Sequence, residues 1–218
     1  MDEPTLTSNE FILIKPKLNN KKIKSLFDDI PYDPYFDGGY RYRSKSRIEI
    51  EPDGNLKFLE RLDLYQPEHI NSYQNYGGVS RSYQDIPEWS LTDSDFNILI
   101  KTWLATIPES ITKISVHQIR TTSDLGKTVP EGRHRDGYDY IGLYVVSRDN
   151  ITKNSALTNV WCNESDEVIF EDYLSEGSLL SFNDNKVTHY TGDIIADNKQ
   201  KQCSRDVIIL TYPDEGIY

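Results

Sequence analysis

Cysteine is scarce: Cys162 and Cys203 are the only two in 218 residues. Neither stands in a CxxC or other metal-ligand spacing, so no disulfide framework or cysteine-ligated zinc site is expected, and both read as reduced thiols. Long apolar runs are missing as well. No stretch approaches the roughly 18 residues that a membrane-crossing helix needs. The first ten residues are polar and acidic where a secretory signal would be basic and then apolar, so the expected location is cytoplasmic. Positive charge is outweighed, with 24 Lys and Arg against 35 Asp and Glu and a formal charge of −11. A phosphate-dominated interface needs a basic footprint. Neither nucleic acid nor a membrane is therefore an expected partner. Internal repeats, low-complexity tracts and Pro, Gly or Ser-rich linkers are also lacking, which leaves one domain over residues 1–218 as the expectation.

What is abundant is tyrosine, fifteen against seven Phe and three Trp, with eight of the fifteen lying between Tyr32 and Tyr83. Tyrosine suits half-buried strands and the walls of polar pockets. A short basic helix is expected at 20–29, stopped by Pro31. Extended segments at 40–50 and 56–64 flank the turn Pro52-Asp53-Gly54-Asn55, a hairpin pattern. The strongest helix signal covers 92–107. There Phe96, Leu99, Ile100, Trp103, Leu104 and Ile107 form one apolar stripe, with Thr92 as N-cap and Pro108 as the stop. After Ile114 the period changes to two, and short strands are expected at 114–121, 138–146, 156–161, 167–170, 178–182, 187–191 and 207–212. The fold class is therefore mainly β with a few helices (α+β). A sandwich or jelly-roll barrel is expected over 113–213, packed by one or two N-terminal helices, with 1–112 as a helical or lid extension.

Only four histidines exist, and two stand out. His134 and Asp136 are two residues apart, so on an extended backbone both leave the same face. His189 lies on a separate expected strand that sheet folding could bring alongside. Two imidazoles and one carboxylate on one face of an octahedron leave three adjacent positions open, the geometry of non-haem Fe(II) oxygenases. His-x-Asp alone is a weak signal. Arg205 strengthens it, because Arg205, Val207, Ile209 and Thr211 share a strand face, and a buried guanidinium needs a carboxylate partner. Gln118 and Arg120 share a face with Ile114 and Val116; they are either substrate-carboxylate ligands in a lined interior or an outer ion pair. Glu131 is a candidate for a substrate ammonium. His117 points the other way and reads as structural. The string Tyr40 to Arg47 alternates aromatics and cations, as in a single-stranded nucleic-acid platform, a substrate wall or an amphipathic edge strand.

The stretch 116–212 resembles the bacterial Fe(II)- and 2-oxoglutarate-dependent dioxygenases that hydroxylate free L-amino acids, the group containing L-isoleucine dioxygenase. The strings that carry the resemblance are Val116-His117-Gln118-Ile119-Arg120, Pro130-Glu131-Gly132 running into His134-Arg135-Asp136-Gly137, Arg148-Asp149-Asn150-Ile151, Asp184 to His189, and Ser204-Arg205-Asp206-Val207-Ile208. The resemblance implies a double-stranded β-helix of the cupin-like type. It also implies Fe(II) held by His134, Asp136 and His189, 2-oxoglutarate held by Arg205, O2 as co-substrate, and hydroxylation of a free L-amino acid by a monomer or homodimer. This chain departs from the group at Thr152 to Ser155, where a Gly-Gly pair is usual, and at Tyr190-Thr191, where Gly-Val is usual; both departures are expected near the pocket. The alternatives are a non-catalytic cupin-like metal or small-molecule-binding module, or the same oxygenase chemistry on a peptide.

Overall fold

In the central strands of this protein both faces are apolar, and that doubled pattern decides the architecture. The computed structural model describes residues 5–6 and 10–216; most of the acidic start read above as no secretory signal lies outside them. Along the chain run β1 (Phe11–Ile14), α1 (Asn20–Ser25), β2 (Arg41–Ile50), β3 (Leu56–Phe58), a 3-10 turn (Glu88–Thr92), α2 (Ser94–Leu104) and β4 (Lys113–Thr121). There follow β5 (Tyr140–Asp149), β6 (Thr158–Cys162), β7 (Val168–Asp172), β8 (Leu179–Asn183), β9 (Val187–Thr191) and β10 (Ser204–Tyr212). The strands form a seven-stranded sheet in the order β1-β8-β5-β10-β4-β2-β3 and a three-stranded sheet in the order β7-β6-β9. Every pairing within them is antiparallel. This is the expected mostly-β jelly roll.

One face of the larger sheet is covered by the helices. Ile48, Val116, Tyr144, Ile208 and Leu210 pack there against Phe96, Leu99, Ile100 and Trp103 of α2 and Ile23 of α1. The other face closes over the small sheet, where Leu143, Val145, Leu180, Phe182 and Val207 meet Val160 and Val187. Strands buried on both sides carry apolar residues at both parities. Where α2 crosses β5, a Cβ on Gly142 would stand 2.6 Å from the Trp103 ring, so only glycine allows the approach.

Several boundaries differ from expectation. The α2 N-cap is Asp93, whose Oδ1 accepts from the backbone N–H of Asp95 and Phe96, whereas Thr92 ends the preceding 3-10 turn. The strand β1 was not expected; its only signal is the four-residue run Phe-Ile-Leu-Ile before Lys15. The N-terminal third does more than cover the barrel, since β1 pairs with β8 and β2 with β4 inside the larger sheet. Among the described residues no helix is long and apolar enough to cross a membrane. Cys162 and Cys203 are free and buried.

Candidate active site

Backbone pairing brings the two distant histidines together. The His134 N–H donates to the His189 carbonyl at 3.1 Å and the His189 N–H to the His134 carbonyl at 2.9 Å, a one-residue bridge that extends the small sheet beyond β9. Their rings stand 4.5 Å apart. Asp136 reaches both: its Oδ1 lies 3.2 Å from His134 Nε2 and its Oδ2 3.5 Å from His189 Nε2. One ligand atom from each of the three side chains falls within 4.8 Å of the others, an arrangement that could hold a metal ion. The His134 Nδ1 lies 2.8 Å from the Gly132 carbonyl, which can only accept, so Nδ1 carries a hydrogen and Nε2 is the nitrogen that faces the shared point.

A second carboxylate aligns this group. Asp184 is buried, and its side chain accepts the backbone N–H groups of Asp136 (3.3 Å), Gly137 (2.9 Å) and Tyr138 (3.1 Å). Gly137 at φ +83° turns the chain so that successive amides converge on that carboxylate. Asp184 Oδ1 also stands 3.8 Å from His189 Nδ1, on the far side of the ring from Asp136. Asp184 therefore ties the loop carrying Asp136 to the turn preceding His189. Burial pushes its carboxyl above the usual range, with the nearby Asp136 charge adding to the effect. Burial acts the same way on Asp136, but hydrogen bonds and charge from His134 and His189 override it and hold that carboxyl well below the usual range. Burial would lower His134; its hydrogen bond to Asp136 and the charges of Asp136 and Glu131 outweigh this and push it up to about 9.

Arg205 faces the same cavity from β10. It is 4 % exposed, and its Nε and Nη2 have no partner among the described residues. Burial, with Arg148 alongside, pushes its guanidinium down to about 9. Val207 and Ile209 on the same strand face and Leu143 on β5 line the neighbouring wall. A lone cation among apolar side chains is costly until a carboxylate supplies the paired acceptors. A donor set of two imidazoles and a carboxylate, facing an unmatched buried guanidinium, fits a ferrous ion and a dicarboxylate chelated to it.

The remaining expected site residues divide. Glu131 lines the cavity, with Oε1 3.6 Å from His134 Nε2 and Oε2 unpartnered. Arg120 and Gln118 do not line it. Arg120 donates to Asp206 through Nε (2.7 Å) and Nη2 (2.8 Å) and to the Phe27 carbonyl through Nη1, while Gln118 donates to the Leu26 carbonyl. Both follow Ile114 and Val116 onto the helix-covered face, so of the two readings of Arg120 the ion pair is the one observed. Conversely His117, expected to point away, is on the cavity side with Ile119 and Thr121. Of the two departures expected near the pocket, Thr191 lines the cavity. The loop Thr152 to Ser155 does not, its carbonyls being gathered instead by Arg148. Arg41 and Arg43 of β2 also reach the cavity; they belong to the string Tyr40 to Arg47, whose alternating aromatics and cations had a substrate wall among their readings.

Residues 24–211 match the family model described as 2OG-Fe dioxygenase. Among curated proteins none matches by sequence. Among solved structures, a BsmA homologue from Methylobium petroleophilum PM1 is similar with a TM-score of 0.72 and 17% identity, over 98% of this chain and 92% of that one. IDO from Bacillus thuringiensis is similar with a TM-score of 0.71 and 17% identity, over 94% of each chain. The Fe(II)/(alpha)ketoglutarate-dependent dioxygenase TqaL is similar with a TM-score of 0.68 and 13% identity, over 94% of this chain and 82% of that one. At these identities the likeness speaks for the fold.

Proposed function

The chain belongs to the 2OG-Fe dioxygenase family, whose chemistry uses Fe(II), 2-oxoglutarate and O2, and from that premise we propose that it hydroxylates an aliphatic C–H of a free L-amino acid. In this reading 2-oxoglutarate and O2 become succinate and CO2. His134, Asp136 and His189 hold the iron, and Arg205 holds the far carboxylate of 2-oxoglutarate. The observation that carries the reading is the meeting, in one cavity, of three convergent ligand atoms and an orphaned buried guanidinium. The amino-acid part rests on the motif-level resemblance over 116–212.

Bound iron supplies the activation of O2, with 2-oxoglutarate as the electron donor. The protein's own contribution is positional. Gly132 fixes the His134 tautomer, and Asp184 holds the Asp136 loop and faces the outer nitrogen of His189. Val207 and Ile209, on the same face of β10 as Arg205, give the cavity an apolar wall beside its guanidinium, which strengthens the pairing of that group with a carboxylate.

The test is a screen of the twenty L-amino acids with Fe(II), 2-oxoglutarate and O2, scored for succinate and for a product heavier by one oxygen atom. At least one amino acid should give both, and His134→Ala should remove both. A protein that forms the visible charge-transfer band with Fe(II) and 2-oxoglutarate under anaerobic conditions, yet accepts no amino acid, would lose the amino-acid assignment only. One that never forms the band would lose the site assignment.

A further inference from the structure

After the metal and co-substrate are assigned, the cavity still holds charge without partners. Arg41 and Arg43 stand two residues apart on the inward face of β2 and are only 6 % and 9 % exposed. Among the described residues Arg41 Nε and Nη1 have no partner, and Arg43, which donates through Nη2 to His117 Nδ1 at 2.9 Å, has its Nε unmatched. Behind them Arg81 is buried over the Tyr76 ring. Asp33, a buried carboxylate whose charge acts on Arg43, accepts the Tyr76 hydroxyl at 2.9 Å and makes no ion pair among the described residues. Across the cavity Glu131 Oε2 is equally without a partner among the described residues, although Asn71 Nδ2 donates to its Oε1 at 3.3 Å. Three buried guanidiniums thus meet one buried aspartate, with a free carboxylate oxygen facing them.

This cation group is separate from Arg205. Arg41 and Arg205 both pair with Thr121, from opposite sides of β4. Their backbones therefore lie two strand spacings apart, about 9.6 Å. The Arg41 guanidinium sits over the Phe36 and Tyr76 rings at 5.5 and 5.8 Å, in the N-terminal aromatic wall, whereas the charges that act on Arg205 are Arg148 and Asp206. A 2-oxoglutarate that chelates metal through one carboxylate and meets Arg205 with the other has none left for Arg41.

We infer that Arg41, with Arg43 beside it, binds the carboxylate of the substrate and that Glu131 binds its ammonium. The substrate is then an α-amino acid with both groups free, and a peptide, blocked at one or both, is excluded. The inference rests on the proposed amino-acid activity and replaces Arg120 and Gln118 as the carboxylate ligands.

The test uses the whole protein loaded with redox-inert Ni(II) and 2-oxoglutarate, titrated calorimetrically with each of the twenty L-amino acids and with the amide of any that bind. Arg41→Met should weaken amino-acid binding by about 100-fold or more and Glu131→Gln by about tenfold or more. Ni(II) and 2-oxoglutarate binding to Arg41→Met should stay near wild type. The amide should bind wild type as weakly as the free acid binds Arg41→Met, and should not respond to that substitution. Removing an unpaired buried charge should not impair folding, and Arg41→Lys provides a second variant that keeps the charge. Unchanged amino-acid affinity in Arg41→Met overturns the clamp and leaves the amino-acid activity standing. Loss of 2-oxoglutarate binding in Arg41→Met also overturns it, by placing Arg41 in the co-substrate site. If no amino acid binds the loaded wild type, the clamp and the amino-acid assignment fall together.

Discussion

In the proposed site a proton and a metal ion compete for the same nitrogen of His134. In the metal-free protein its pKa is raised from 6.5 to about 9, against the pull of burial, by Asp136 and Glu131. Below about pH 9 metal binding must therefore expel one proton, and Ni(II) affinity should rise by about tenfold per pH unit between about pH 7 and 8.5. Calorimetry in buffers of different ionisation heat would count the proton; a pH-independent affinity with no proton released would show that His134 is not a ligand. The sign for folding is opposite. A raised folded pKa stabilises the metal-free protein fully below 6.5, and that contribution is lost as pH rises through about 9. Arg120 and Arg205 show how far one residue can be read from sequence. Each stands on a strand beside apolar neighbours, yet Arg120 is matched by Asp206, while Arg205 Nε and Nη2 have no partner among the described residues. Only cross-strand register separates the two.

Among the elements, α2 makes the helix-covered layer and its start is set by Asp93. That side chain accepts two backbone N–H groups and meets Lys22 Nζ at 2.7 Å, and although burial raises its pKa, these contacts hold it below the usual range. Asp93→Ala should cost about 1 kcal/mol, at most about 2, and lower the melting temperature by roughly 2–8 °C. Thr92→Ala, which removes only a hydroxyl bond to the Trp89 carbonyl, should stay within about 0.5 kcal/mol. Thermal melts of the two variants decide the cap; equal losses would refute it. The strand β2 illustrates the other kind of element. Its alternation of aromatics and cations was compatible with a surface platform, but pairing with β4 turns Arg41, Arg43 and Lys45 inward, where they are buried. Burial, with Arg47 and Arg43 nearby, pushes the Lys45 ammonium down to about 8.

The molecule as a whole carries unmatched buried charge that its ligands would satisfy. Saturating the site with Ni(II) and 2-oxoglutarate at about 100 times each Kd should add about 2.7 kcal/mol per ligand and raise the melting temperature by roughly 5–10 °C for each. Arg205→Met should abolish the 2-oxoglutarate increment while melting no lower than wild type on its own, because a buried unpaired cation is gone. A full 2-oxoglutarate increment in that variant would remove Arg205 from the co-substrate site. Much of this protein was legible from residue order. Alternation and turn residues announced nine of the ten strands, the apolar stripe announced α2, and the strings around His134, Asp136 and His189 announced a group of side chains that could hold a metal ion. Those signals are local, reaching a few residues along the backbone. Which face of β4 looks inward, whether Arg120 or Arg41 enters the cavity, and that Asp184 ties two loops together depend on contacts between strands far apart in the chain. In a sheet buried on both sides, hydrophobicity is the same at either parity, so only the pairing register chooses between them.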